Sequence, residues 1–236
     1  MSYVSDSSLR VIIVGAGFCG LTTAIECKLR GLHPIVVEAY PGPSSHGDLL
    51  DFTPNAGNVF NSWDDGKVGA AMLATSVNRA KYLEFYNQKN ELLRADPWPQ
   101  DLEALGTFAG HRGEFHKAIY EYAQRIGVEI KAGQKVVKYM DDERYPSVIT
   151  ASGETISGDV LLAADGPKSL ARSHLLKLPE SKVNSGYAIY RAFFRLTDDM
   201  KSNPIVAALS REHEDVTRFW VGRDMHGFIY TWNHGR

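Results

Sequence analysis

A glycine-rich turn near the N-terminus constrains the fold of this chain more than any other feature. The turn, GAGFCG at residues 15–20, follows the apolar run VIIV at 11–14. A continuous apolar run of this kind is typical of a parallel strand that is covered on both faces. After the turn, LTTAIECKLR at 21–30 has apolar residues at helical spacing, and Gly31 stands where helices commonly end. A second apolar run ends at Glu38. The sequence therefore predicts a strand, a turn, a helix and a strand in succession.

The three glycines of this turn match the G-x-G-x-x-G pattern that binds the pyrophosphate of a dinucleotide. Gly15 permits the tight turn, Gly17 lets the backbone approach a pyrophosphate, and Gly20 allows close packing of helix on strand. Glu38 is placed to accept hydrogen bonds from both hydroxyls of an adenosine ribose. The alternative is a purely structural turn beside a surface carboxylate. The pattern does not distinguish FAD from NAD.

The rest of the chain alternates between predicted helices, strands and polar turns. Residues 40–57 are rich in Pro, Gly, Ser and Asp, and we expect them to form a loop. The predicted helices are NVFNSW at 58–63 and RGEFHKAIYEYAQRIG at 112–127. The predicted strands are two around the NQKN turn within 81–94, then VEIKA, KVVKYMDD, SVITAS, DVLLAADG, YAIYRAFFRL, VTRFWVG and GFIYTWNH. We expect the last three and the hairpin to form a second, antiparallel sheet.

The charge and composition of the chain argue against several classes of protein. The 26 basic and 28 acidic residues are interspersed, and a net charge of −2 offers no basic surface for nucleic acid. No apolar run approaches the ~20 residues of a membrane-spanning helix, and the N-terminus lacks the pattern of a signal peptide. Cys19 and Cys27, if both lie on one helix, are about 12 Å apart and beyond disulfide reach. No Cys/His pattern suggests a metal site. We therefore expect a cytoplasmic protein without a metal, a membrane span or a nucleic-acid partner.

Three segments of the sequence resemble one enzyme family in their order and spacing. They are the first 40 residues, HRGEFHKAI at 111–119 and DVLLAADGPKSLAR at 159–172. Together they resemble the group A flavoprotein monooxygenases, the para-hydroxybenzoate and salicylate hydroxylase-like family. The resemblance covers nearly the whole chain. It implies an α/β fold in which a Rossmann-like FAD-binding domain is joined to an antiparallel β-sheet substrate domain.

The resemblance also implies a discontinuous domain organisation. Residues 1–66 and 105–178 would form the FAD-binding domain, and residues 67–104 and 179–236 would form the sheet of the substrate domain. Members of the family carry a further G-D motif, which binds the flavin ribityl and pyrophosphate, well downstream of the Y-R strand. The 236 residues do not reach such a motif. We therefore expect both domains to be truncated at the C-terminal side.

Several cofactor contacts carry over from the family by position. Arg112 corresponds to the arginine that contacts the FAD phosphates, and Asp165 with Gly166 corresponds to a pair that meets both FAD and reduced nicotinamide. Val136 corresponds to a strand whose backbone meets the adenine. Elementary physics supports Arg112, because a cation at the start of a helix is unfavourable unless an anion lies nearby. The alternatives are an exposed Arg112 without a ligand and an Asp165 that caps the helix within PKSLAR.

The activity that the resemblance implies is hydroxylation or epoxidation of an aromatic or indole-like small molecule. NADPH or NADH would reduce the FAD, and O2 would supply the inserted oxygen atom, since the cofactor carries the redox chemistry. Other flavin oxidoreductases, a halogenase or a dehydrogenase, share the pattern of the first 40 residues, although this chain has no W-x-W-x-I-P run. A catalytically idle nucleotide-binding fragment is a third hypothesis.

Arg191 is the candidate for a residue that faces the substrate. In YAIYRAFFRL at 187–196 a period of two places Arg191 in a row of otherwise apolar side chains. The corresponding strand brings an arginine to the substrate pocket in several members of the family, and Asp48 is the predicted partner of this one. The alternative is a solvent-exposed Arg191 at a sheet edge. His111 and His116 are interpreted as helix-surface or packing residues, because spacing identifies no partner for either.

Overall fold

The computed structural model describes residues 8–43, 46–75, 77–98, 100–141, 145–179, 182–211 and 214–232. The strands are β1 Arg10–Val14, β2 His33–Val37, β3 Leu49–Phe52, β4 Tyr82–Tyr86, β5 Leu92–Pro97, β6 Phe108–His111, β7 Glu129–Lys131, β8 Val136–Met140, β9 Ser147–Thr150, β10 Thr155–Ser157, β11 Val160–Ala163, β12 Thr217–Val221 and β13 His226–Tyr230. The helices are α1 Phe18–Leu29, α2 Pro54–Ser62, α3 Lys67–Leu73, α4 Leu102–Leu105, α5 Arg112–Arg125, α6 Leu170–His174, α7 Asp198–Lys201 and α8 Pro204–Leu209. A 3-10 turn, Trp63–Gly66, joins α2 to α3.

The chain divides into two compact units, each made of two segments. The first unit contains Met1–Ser45 and His116–Ile189, and the second contains His46–Phe115 and Tyr190–Arg236. The boundary falls within helix α5: residues 112–115 belong to the second unit, and the helix from His116 onward belongs to the first.

The limits of the compact units differ from the predicted domain limits in three places. Residues 46–66 and 105–115 fall in the second unit, because β3 pairs with β6 and α2 packs with α3 and α4 there. Residues 179–189 fall in the first unit. How these segments divide between cofactor and substrate binding stays a prediction.

A parallel sheet forms the centre of the first unit. Its strand order is β11-β1-β2-β7, and β1 pairs in parallel with both of its neighbours. β1 and β2 are buried from their second residue to their last, which explains why both read as continuous apolar runs. Because the strands are parallel, β1, β2 and β11 end at the same edge of the sheet. Gly15, Glu38 and Ala164 directly follow these ends.

The two faces of this sheet are covered by different elements. Helix α1 packs against β1 and β2. A second, antiparallel sheet, β10-β9-β8, shares a buried cluster with the parallel sheet. The members of this cluster are Ile12, Val14, Ile35, Val37, Tyr139, Val148, Ile156 and Ala171. The predicted strands within 135–142, 147–152 and 159–166 are confirmed, whereas β10 was not predicted.

The second unit is built on a mixed sheet rather than an antiparallel one. The predicted hairpin, β4 with β5, is confirmed, and so is the antiparallel pair of β12 and β13. The pairing that joins them, β12 with β4, is parallel, which corrects the prediction. Register along the strands places Arg218 opposite Glu84, and both residues are buried. A buried charge pair is tolerated only where hydrogen bonds compensate for the loss of water. Here Arg218 Nε donates to Glu84 Oε2 at 2.9 Å.

The loop predicted for residues 40–57 contains regular structure that the sequence did not indicate. β3 pairs antiparallel with β6, about sixty residues away, and α2 begins at Pro54. Aromatic side chains of β6 and α2, with Trp63, form the buried centre of this region. A four-residue strand whose partner is so distant has no local signal, because its hydrogen bonds exist only in the folded chain.

The strand predicted for residues 187–196 is wrong. These residues have no regular secondary structure, and most of their large apolar side chains are exposed. High β-propensity does not make a strand where the described part of the chain offers no neighbour to pair with its backbone. Arg191 is therefore carried by an irregular segment, and its position depends on side-chain contacts.

The two cysteines do not form a disulfide. Cys19 and Cys27 are free, and both lie on α1 as predicted. Among the described residues, no three His, Cys, Asp or Glu side chains are grouped so that they could hold a metal ion. No helix within the described ranges is both long and apolar enough to cross a membrane.

Candidate functional site

The three glycines of the first turn meet three different surroundings. Gly15 has a φ of 102°, and a Cβ there would lie 2.4 Å from the carbonyl oxygen of Ala164. A Cβ on Gly20 would lie 1.9 Å from the carbonyl oxygen of Gly15. A Cβ on Gly17 would meet nothing within 4 Å. Two of the glycines are thus required by the packing of the protein, whereas Gly17 borders open space in which a ligand can approach the backbone.

The start of helix α1 lies at this open space. The helix begins at Phe18, its first backbone hydrogen bond runs from Leu21 N–H to Gly17 O, and its first turn contains no acidic side chain. The N–H groups of a first helical turn carry partial positive charge and have no partner within the helix. This end of α1 therefore suits a phosphate.

Glu38 is held in place by two backbone groups. Its Oε2 accepts a hydrogen bond from Ala16 N at 2.6 Å, and its Oε1 accepts one from Tyr40 N at 2.8 Å. A carboxylate offers about four acceptor positions, so each oxygen keeps capacity for a further donor. Glu38 thus links the glycine turn to the end of β2 and presents acceptors that suit two ribose hydroxyls.

His116 supports the same turn, which the sequence did not indicate. Its Nε2 lies 2.6 Å from Ala16 O, and its ring meets the ring of Phe18 edge-on at 5.5 Å. A histidine in an amphipathic helix is read as packing unless a partner is identified, and this partner lies 100 residues away in sequence. The only local sign of this contact in the sequence is the spacing of His111 and His116 around the start of α5.

Asp165 serves as a structural acceptor for the start of α6. Its Oδ2 accepts hydrogen bonds from Tyr139 Oη at 2.9 Å, Leu170 N at 2.8 Å and Ala171 N at 3.1 Å. The side-chain cap proper is Ser169, which accepts from Arg172 N. Helix capping by Asp165 is thus observed, and the cofactor contact that the family resemblance implies for it stays a prediction.

These contacts determine the ionisation of Asp165. Burial by itself would raise the pKa of this carboxyl, but hydrogen bonds from Ser169, from the Ala171 amide and from Tyr139 outweigh burial and hold the pKa below its ordinary value. Burial and the nearby Asp165 charge together raise the pKa of Tyr139. At neutral pH the pair is therefore a phenol donating to a carboxylate.

We expect Asp165→Asn to lower the stability of the protein in a pH-dependent way. The depressed pKa contributes stability that is fully present above the ordinary value of 3.8 and is lost as the pH falls through the lower folded value. The expected loss near neutral pH is about 1 kcal/mol, or roughly 2–4 °C in Tm. Thermal unfolding of both proteins across acid and neutral pH measures it. Asp141→Asn, at an exposed position, is the control, and a Tm difference that persists unchanged at the acid end contradicts the assignment.

Gly166 and Val136 complete the predicted residues of the first unit. Gly166 has a φ of 78°, a left-handed conformation that favours glycine directly after Asp165. Val136 begins β8, is half-buried and packs against the cluster shared by the two sheets. The proximity of β1 and β11 brings Gly15 beside Asp165, since a Gly15 Cβ would lie 3.4 Å from Asp165 Cα.

The other predicted residues, Asp48, Arg112 and Arg191, lie in the second unit. Arg191 Nη1 lies 2.6 Å from Asp48 Oδ2, so the predicted partnership of these two residues is observed. Arg112 opens α5 as predicted, with an exposed side chain, and its backbone N–H donates to Asp48 O at 2.9 Å. The backbone of Asp48 and the first residue of α5 are thereby fixed together.

Comparisons with known proteins agree with this geometry. A family described as "FAD binding domain" matches residues 8–216, which is most of the chain and includes every predicted site residue. The chain belongs to the FAD-binding domain family. The glycine turn, the first turn of α1 and Glu38 offer what FAD requires: a phosphate site at a helix start and an acceptor for ribose.

Two similar proteins are monooxygenases by name. The FAD-dependent monooxygenase nanF of Aspergillus nanangensis is 32% identical over 195 residues, which cover 81% of this chain and 41% of that protein. The asperlicin C monooxygenase of Petromyces alliaceus is 27% identical, over 98% of this chain and 50% of that protein. The crystal structure of CtdE in complex with FAD is similar with a TM-score of 0.81 at 25% identity, over 98% of this chain and 57% of that chain. This chain thus spans about half the length of these relatives.

Proposed function

We propose that this chain forms the cofactor-binding and substrate-positioning part of a monooxygenase that uses NADPH or NADH and O2. The product would be a hydroxylated or epoxidised aromatic or indole-like small molecule. FAD-dependent monooxygenases among the relatives support this reaction class over a halogenase, a dehydrogenase or an idle fragment. The observation that carries the substrate side of the proposal is the ion pair of Arg191 and Asp48.

The first unit supplies cofactor binding. Bound FAD would supply the redox chemistry that links reduced nicotinamide to O2. In the proposal Gly17 and the start of α1 bind the pyrophosphate, and Glu38 accepts from the ribose. Val136 would meet the adenine, Asp165 with Gly166 would contact the flavin and the nicotinamide, and Arg112 would neutralise phosphate charge.

Arg191 supplies oriented donors for the substrate. A guanidinium carries five N–H donors in a fixed plane, and the bond to Asp48 uses only part of this capacity. The remaining donors can hold a substrate carbonyl or stabilise negative charge that develops on a substrate oxygen. Asp48 restricts the rotation of the guanidinium, so Arg191 is positioned before substrate binds.

The aromatic side chains of the second unit support a flat aromatic substrate. Trp232 stacks with Tyr230 at 6.3 Å and meets Phe193 edge-on at 5.1 Å. Phe193 and Phe228 remain partly exposed, so they offer faces to a planar apolar molecule.

A reaction that consumes reduced nicotinamide suits the cytoplasm, where we place the enzyme.

The proposed function is tested by following the oxidation of NADPH and NADH by the purified protein with FAD, with and without a panel of indoles and phenols. We expect an aromatic compound to raise the oxidation rate and a product to carry oxygen from labelled O2. A flavin-bound protein that oxidises neither nucleotide faster with any compound, and forms no labelled product, contradicts it.

We expect Arg191→Ala to lower coupled turnover at least tenfold, about 1.4 kcal/mol of transition-state stabilisation, with unchanged flavin content. The reason is the loss of the oriented donors while the first unit stays intact. Product formed per reduced nucleotide consumed is the measurement. Arg195→Ala, an exposed arginine of the same segment, is the matched control. If Arg191→Ala couples nucleotide oxidation to product formation as the wild type does, Arg191 has no role in substrate binding and is only a surface residue.

A further inference from the structure

His111 contacts both chain segments that carry the ion pair. It is the last residue of β6, is 7% exposed, and lies opposite Leu49 in the β3–β6 register. The sequence indicated only a packing residue here. The contacts of its ring assign it a more specific task.

The two ring nitrogens of His111 have different partners. Nδ1 lies 3.3 Å from Glu114 N, whose N–H it accepts at the start of α5. Nε2 lies 3.1 Å from Gly47 O. A carbonyl oxygen can only accept, so Nε2 donates to Gly47 O while Nδ1 accepts from Glu114 N. The ring therefore joins the residue before Asp48 to the first turn of α5.

The approach of residue 47 to α5 is close enough to require glycine. A Cβ on Gly47 would lie 2.9 Å from Gly113 N and 3.0 Å from Arg112 Cβ. With the hydrogen bonds to Gly47 O and Asp48 O, the backbone on both sides of the Asp48 side chain is fixed to the β6–α5 junction.

The segment that carries Arg191 is attached to the same ring. The ring of Phe193 lies over that of His111, with centroids 4.6 Å apart and planes inclined by 30°. Phe193 is 44% exposed, whereas its neighbours Tyr190 and Phe194 are 96% and 60% exposed. Residues 187–196 have no strand to hold them in the described part of the chain, so the ring contacts of Phe193, with His111 and with Trp232, hold the segment that carries Arg191.

We infer that His111 is a positioning residue that holds the carboxylate of Asp48 and the guanidinium of Arg191 together, one through Gly47 and the other through Phe193. The inference rests on the substrate role proposed above for this ion pair. His111 touches neither substrate nor cofactor in this account. It acts through two residues that lie far apart in sequence.

The variant that tests the inference is His111→Asn. Asparagine is a preferred residue at a helix start and keeps an acceptor for Glu114 N, so α5 stays capped. Its shorter amide does not extend to Gly47 O as the histidine Nε2 does, and the ring beneath Phe193 is lost. His111→Gln, whose longer side chain restores a donor, is the rescue variant, and His226→Asn, at an exposed histidine of the same unit, is the control.

Limited trypsin digestion, followed by mass spectrometry, measures how firmly residues 187–196 are held. This measurement does not depend on the activity of the enzyme. We expect cleavage after Arg191 and Arg195 to be at least fivefold faster in His111→Asn than in His226→Asn, with cleavage after Arg125 unchanged. His111→Gln should restore part of the protection. Equal acceleration at all three sites indicates general destabilisation and overturns the inference, as does an unchanged rate after Arg191 and Arg195.

Coupled turnover then separates this inference from the proposed function. We expect His111→Asn to lower product per reduced nucleotide about tenfold, as Arg191→Ala does, with unchanged flavin content. If Arg191→Ala loses coupling and His111→Asn does not, the inference is wrong and the proposed function stands. If Arg191→Ala keeps its coupling, the substrate role of Arg191 is wrong, and the digestion alone decides whether His111 holds the segment.

Discussion

Replacing Gly20 with alanine is expected to destabilise the protein by about 3 kcal/mol, or roughly 6–12 °C in Tm. The added Cβ would lie 1.9 Å from the carbonyl oxygen of Gly15, and a backbone atom at that distance cannot move without disturbing the turn. The turn is held on its other side by the hydrogen bond from Gly15 N to Val37 O. Thermal unfolding of the protein without added FAD measures the effect.

Gly17→Ala is the matched variant, because the same methyl group meets nothing within 4 Å at this position. The φ of Gly17 is −71°, which alanine adopts without strain. We expect a Tm within about 2 °C of the wild type and an FAD dissociation constant raised at least tenfold, because the methyl group occupies the approach of the pyrophosphate. A Gly17→Ala protein that binds FAD as the wild type does contradicts the phosphate site. A stable Gly20→Ala protein contradicts the packing role of Gly20.

Replacing Glu38 with arginine is expected to raise the dissociation constant for FAD at least a hundredfold, about 2.7 kcal/mol. The variant loses both ribose acceptors and the hydrogen bonds from Ala16 N and Tyr40 N, which fix the glycine turn relative to β2. It also places a bulky cation where the ribose would lie. Glu38→Ala, which loses the same acceptors and hydrogen bonds but adds no cation, should have a smaller effect in the same direction. Titration of each protein with FAD, followed by flavin fluorescence, measures both.

The control for this charge change is Glu121→Arg. Glu121 lies on the exposed face of α5 and has only a surface ion pair with Lys117, which contributes little to stability. Its reversal should leave FAD affinity unchanged. Equal affinities of Glu38→Arg and Glu121→Arg for FAD would show that the end of β2 does not meet the ribose.

The sequence by itself determined the cofactor half of this protein, because its signals are local. A buried parallel strand needs a continuous apolar run, and a tight turn beneath a helix needs glycine. The position of the acid at the end of the next strand follows from the spacing of a βαβ unit. All of these lie within the first 40 residues, so their geometry follows from short-range spacing. The helix at Arg112 and the strand ending before Asp165 were predictable for the same reason.

Only the tertiary structure decided the segments whose partners are far away in sequence. β3 and β6 exist because they pair with each other, and β12 joins the sheet through a parallel partner about 130 residues earlier. Residues 187–196 have the composition of a strand but lie outside any sheet, because pairing, not propensity, forms a strand. Asp48 and Arg191 were predicted to meet from family analogy, but the ring that holds both, His111, carries no local signal. Its role depends on Gly47 O and on Phe193, which only the folded chain brings to it.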